Sequence, residues 1–261
     1  MIELKGLQVE EFTHPQDKAA WAVISKAPWL MNLMDWFMTR EAQYEMRTDY
    51  LGNTVEVTSG MLPGLFQMTK EVCRVLDYEP VPRVFTRRSS FLGGFVNAGE
   101  NPILVIPDFL LNTFDEGMLR FQIGRMITML KTKNAPIRTS VSWILGQTDK
   151  IPIAGSIVKP VLADWVRKSR YTEDRGALLA CQDENVAMKT LFRFAGLPLK
   201  YIDPSVFPEY IAEYQKAKGL SSLSQSAMTA FRTEAWPNDR IVELYKWYSS
   251  GAFYDLLEEY E

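Results

Sequence analysis

Histidine is almost absent from this chain: His14 is the one example among 261 residues. No HExxH pair can therefore be written at any register, and the serines near Ser89 and Ser222 have no imidazole with which to build a nucleophilic triad. Cysteine is nearly as scarce. Cys73 and Cys181 form neither a metal spacing nor a disulfide framework, so both are expected as buried free thiols in a reducing, cytoplasmic setting. No apolar run approaches the ~18 residues that a membrane-crossing helix needs. There is no charge excess either. A net charge of −3 and a pI near 5.5 give no basic footprint, which excludes nucleic acid as an expected partner. The opening MIELKGLQVEEF is polar and acidic, unlike a secretory leader.

What the chain does have is apolar residues, 47% of the total, enough to bury a sizeable core. We read one domain over 1–261 in three parts: a helical stretch to about 77, a β region with two long helices over about 78–196, and C-terminal helices from about 197. Helical periodicity predicts helices after the turn at His14 and Pro15 as far as Pro28, over 29–45 and over 64–76. β-rich runs at 54–57, 81–87 and 102–107, with SSFLGGFVNAGEN as a hairpin or loop, predict a three- or four-stranded sheet. Further helices are expected over 115–133, 137–145, 158–167, 169–195, 208–218, 223–231 and 239–249. The fold class is thus α+β, mainly helical. The stretch 141–162 reads as an apolar helical hairpin packed on the domain, with peripheral membrane contact as the alternative. Trp236, Tyr245, Trp247, Tyr248, Phe253 and Tyr254 read as a packing face that could also meet a partner.

Three segments in order carry a resemblance. They are PDFLLNTFDEGMLRFQIGRMITMLKTKN, RKSRYTEDRGALLACQD from Arg167 to Asp183, and TEAWPNDRIVELYKWYSSGAFYD from Thr233 to Asp255. Together they resemble the HtpX-like zinc metallopeptidases, the group that includes the CAAX prenyl endopeptidases, and most closely their soluble bacterial members. The resemblance implies a zincin-like (gluzincin) fold with a small sheet and two long active-site helices. It also implies a set of site positions. Two histidines one helical turn apart would bind zinc, and a glutamate after the first would activate water. A glutamate on the second helix would complete the ligands, with an aspartate four residues on supporting the site. A C-terminal histidine would help stabilise the oxyanion.

Here those positions hold other chemistry. The histidines correspond to Arg125 and Met129, the base to Met126, the third ligand to Arg170 and the C-terminal histidine to Glu234. The supporting aspartate is kept as Asp174. Arginine has no lone pair to offer a metal, and a thioether suits softer ions than zinc. The resemblance therefore implies a protein with its zinc-binding and catalytic residues replaced, holding no metal or other cofactor: a pseudo-peptidase that binds, scaffolds or regulates a protein or peptide partner. Within the old cleft, Arg125 and Arg170 would face each other beside Asp174 and Glu234. They would either join an ion-pair network between helices or bind an outside anion such as a carboxylate or phosphate. Met126 and Met129 read as core filling, and Glu173 and Glu184 as helix-surface acids. Two other functions stay open: an enzyme with new chemistry in the Arg/Asp/Glu cluster, and residual metalloendopeptidase activity through a non-standard metal.

Overall fold

The computed structural model describes residues 1–28, 31–32, 52–88, 95–97, 102–135, 137–138, 141, 152–219 and 232–261. The helices expected over 29–45 (apart from 31–32) and 223–231, most of the 137–145 helix and residues 142–151 of the 141–162 hairpin lie outside the described residues. In chain order the elements are α1 (Val9–Phe12), α2 (Pro15–Ile24), β1 (Val55–Val57), α3 (Pro63–Val75), β2 (Arg83–Arg87), β3 (Phe95–Asn97), β4 (Ile103–Pro107) and α4 (Asp108–Thr113). The long helices follow: α5 (Glu116–Lys131) and α6 (Pro152–Cys181), then α7 (Glu184–Phe194), α8 (Phe207–Gly219), α9 (Pro237–Ser249) and α10 (Ala252–Glu258). The class is α+β and mainly helical.

The sheet has the order β1-β2-β4-β3. The β2–β4 pair is parallel and both edge strands are antiparallel to their neighbours. β4 (ILVIP) is buried along its whole length, as expected of a strand covered on both faces. Leu104 and Ile106 join the main core, while Ile103 and Val105 pack with Phe85 on the other side. β3 arises inside the SSFLGGFVNAGEN stretch.

α5 is the central rod. Asp115 caps it by accepting a hydrogen bond from the Met118 N–H at 2.9 Å, which satisfies one of the helix's orphan donors. Every residue from Phe121 to Leu130 is buried, so the helix has neighbours all round instead of one apolar stripe. Met126 and Met129 belong to this core. α6 crosses α5 at very close range. A Cβ on Gly124 would sit 2.4 Å from Ala180 Cβ, and one on Gly176 would sit 2.0 Å from Thr128 Oγ1. At Gly124 the Ala180 Cβ and the Ala177 backbone leave no room for a side-chain carbon; at Gly176 the Thr128 side chain fills that room.

Two expectations about α6 and α7 need correction. No break occurs at 168: α6 runs unbroken for 30 residues and carries Pro160 inside it. The break falls at Gln182, which is left-handed (φ +51°), and at Asp183, whose side chain caps α7 by accepting from Val186 N–H. A capping aspartate outweighs the continuing apolar period. Gln182 also ties down the N-terminus, accepting from the Ile2 N–H and donating to the Ile2 carbonyl, each at 2.8 Å. Among the described residues no helix is long and apolar enough to cross a membrane. Both cysteines are buried free thiols. In the C-terminal aromatic run, Trp247 and Phe253 are core residues while Tyr254 is 42% exposed.

Candidate functional site

Where α5, α6 and α9 meet, the α+β scaffold buries charge. Glu173 and Asp174 are consecutive on α6, and their side chains are 0% and 1% exposed. Glu173 serves three arginines. Its Oε1 takes Arg138, and its Oε2 is shared by Arg125 Nη2 at 3.2 Å and Arg170 Nη1 at 3.3 Å. Asp174 is gripped by Arg240 of α9 through Nε to Oδ2 at 2.8 Å and Nη2 to Oδ1 at 2.6 Å. Arg125 Nε also approaches Asp174 Oδ1 at 3.1 Å, as an ion pair that lacks hydrogen-bond alignment. Arg170 Nη2 extends outward to Glu234 Oε1 at 2.9 Å. The Phe194 ring, at the end of α7, lies within 5.4 Å of the Arg125 guanidinium and 5.5 Å of that of Arg240.

Four guanidiniums face three carboxylates in this cluster, so one positive charge is in excess. The electrostatics follow from burial and that balance. Burial alone would raise the Glu173 carboxyl, but Arg138, Arg170 and Arg125 overcome it and hold the group at about 2. Burial, with Arg240 nearby, pushes the Arg125 guanidinium down to about 10. It stays charged at neutral pH. A buried set of this kind is close to neutral in net stability compared with apolar packing, but costs about 3–5 kcal/mol to break from one side.

The structure brings the expected site residues together, with two corrections. Glu173 is not a helix-surface acid. It is the hub of the cluster, and its i,i+3 pairing with Arg170 occurs inside the protein. Asp174 pairs with Arg240 and Arg125; Arg170 turns instead to Glu173 and Glu234. The space between Arg125 and Arg170, expected to take either an ion-pair network between helices or an outside anion, holds the chain's own Glu173 carboxylate. Arg138 and Arg240 were not anticipated. Each reaches its partner across a long stretch of chain, and an arginine inside an amphipathic stretch such as NDRIVEL carries no local signature.

These residues do not fit zinc. Arg125 and Arg170 offer no electron pair, Met126 and Met129 offer soft sulfur inside the apolar core, and the oxygens of Glu173 and Asp174 are already engaged by guanidiniums. Among the described residues no group of three or more His, Cys, Asp or Glu side chains is placed to hold a metal ion. His14 lies elsewhere. It caps α2, its Nδ1 accepting from the Gln16 N–H at 3.2 Å, and its Nε2 stands 3.1 Å from Glu243 Oε2.

Comparison with characterised proteins places this chemistry in context. The chain is 24% identical over 265 aligned residues to the plastoglobule-localized metallopeptidase 48 of Arabidopsis thaliana, a chloroplast protein; the alignment covers 97% of this chain and 77% of the relative. That is a metallopeptidase-like relationship running through nearly the whole sequence. No family model matches, and no solved structure matches.

Proposed function

We propose that this chain is a pseudo-peptidase: a zincin-like, HtpX-type scaffold whose zinc and hydrolytic machinery have been replaced, and which works by binding a protein or peptide partner. One observation carries the reading. The α5–α6 crossing, where the resemblance puts the metal ligands and the base, is filled by a buried ion-pair cluster of the chain's own side chains. The metallopeptidase-like relative supports the ancestry. The cluster also disfavours new acid–base chemistry in the same place. A carboxyl held at about 2 is a poor proton acceptor at neutral pH, and guanidiniums do not give up protons there.

Elemental analysis of the purified protein after incubation with zinc and dialysis tests the proposal. The wild type is expected to retain only substoichiometric zinc and to leave unfolded casein uncut. The combined variant Arg125→His, Met126→Glu, Met129→His, Arg170→Glu and Glu234→His is expected to gain one zinc per chain. Stoichiometric zinc in the wild type would overturn the reading. A well-folded combined variant that takes up none would show that the site positions have been assigned in the wrong register.

A further inference from the structure

A second feature lies away from the arginine cluster. α1, α2, α6 and the turn after α5 line an open cavity of about 400 Å³. Asp17, on the first turn of α2, lines it and is 5% exposed. Its Oδ2 accepts a 2.5 Å hydrogen bond from Thr172 Oγ1. Hydrogen bonds from the Trp165 and Asn134 side chains also favour its ionised form, that from Asn134 Nδ2, in a 7% exposed residue, being poorly aligned. No lysine, arginine or histidine among the described residues pairs with Asp17. Beside it stand the rings of Trp21 and Trp165, with centroids 5.5 Å apart. The lining therefore offers a buried carboxyl with no cationic partner among the described residues, an amide beside it and the half-buried indole of Trp21, with Trp165 packed behind that ring at 1% exposed.

A buried carboxylate lacking a cation is costly, and only neutral donors and the positive end of α2 offset it here. Ammonium groups are bound by a carboxylate together with an indole face, and the volume suits a small organic molecule. We propose that this cavity is a binding site for a small organic ammonium ion, its charged head on Asp17 and its apolar body against Trp21. The charges at the mouth do not explain such selectivity. Lys18 and Lys133, both exposed, outnumber Glu10 there, so the attraction comes from Asp17 itself. Glu173 on α6 opposes ionisation of Asp17, and burial holds the carboxyl up at about 6. The cation displaces that proton, so binding strengthens as pH rises from 5 to 7.5.

Isothermal titration of the full-length protein with phenethylammonium, with phenethyl alcohol as the uncharged counterpart, tests this. The ammonium probe is expected to bind about thirtyfold or more tightly than the alcohol at pH 7.5, and Asp17→Asn to remove that preference. Trp21→Ala should weaken the ammonium probe about fivefold, and Lys18→Glu should tighten it; these two variants carry the test if Asp17→Asn does not fold. Equal binding of the two probes, binding that survives Asp17→Asn or is indifferent to both other variants, or no binding of the ammonium probe at millimolar concentration overturns the proposal.

Discussion

Arg240 holds Asp174 with two parallel hydrogen bonds, Nε to Oδ2 at 2.8 Å and Nη2 to Oδ1 at 2.6 Å. This fork joins α9 to the last third of α6, and both partners are buried, with side chains 9% and 1% exposed. Bidentate guanidinium–carboxylate pairs are the strongest and most geometrically demanding of the common ion pairs. The pair fixes where α9 lies across the long helices.

Removing one partner from this cluster should cost far more than removing a rim contact. Glu173→Gln and Asp174→Asn each leave buried guanidiniums without their anion, and each is expected to cost about 3–5 kcal/mol. Glu234 is 59% exposed, so Glu234→Ala should cost less than about 1 kcal/mol. Urea midpoints for the three variants check this ordering. A Glu173→Gln variant as stable as the wild type would mean that the arginines are already compensated without it.

Acid should act on two carboxyls with opposite sign. Glu173 falls from 4.5 to about 2 on folding, so its contribution is intact above pH 4.5 and is lost as pH drops toward 2. Asp17 rises from 3.8 to about 6 because burial disfavours its charged form. Its folded form binds the proton more tightly, so stability declines as pH climbs from about 4 to 6 and is level above that. Asp17→Asn should therefore match the wild type below pH 4 and exceed it above pH 6 by roughly 2–3 kcal/mol. Urea unfolding of both proteins between pH 3.5 and 7.5 is the measurement.

The close crossing of α5 and α6 makes a third prediction. Gly176→Ala would press its methyl onto Thr128 Oγ1, 2.0 Å from an ideal Cβ. Overpacking of this kind costs about 1–3 kcal/mol. Combining it with Thr128→Ala removes the two nearest atoms and should recover part of the loss. A double-mutant cycle in thermal unfolding should show that coupling; strict additivity would count against the close approach.

The thiols offer a simple check on the core. Burial pushes both Cys73 and Cys181 up to about 12, so neither is a thiolate at pH 8. Ellman's reagent should leave both unreacted in the native protein and titrate both in urea.

The residues Arg125, Arg170 and Glu234 were legible in the sequence as one neighbourhood because they occupy aligned places in three separated segments. The helix carrying Arg125 and three strands of the sheet followed from apolar periodicity and β-rich runs, while β3 lies in a stretch whose sequence reads as a hairpin or loop. Glu173 was not legible as a hub. An acid three residues after an arginine has the same spacing whether the helix face meets water or protein, and only the crossing of α5 decides which. Arg138 and Arg240 were invisible for a related reason: their meaning comes from partners brought near by tertiary packing. The α6–α7 boundary was missed because apolar periodicity continues across Gln182, while the turn is set by one left-handed residue and one cap.

The braces uniting α5, α6 and α9 come wholly from the polypeptide, and this bears on how the protein matures in a cell. On the function proposed above, that junction closes as soon as its helices exist, without waiting for a delivered ion. Its integrity should track acidity and ionic conditions, and be indifferent to nutritional metal starvation.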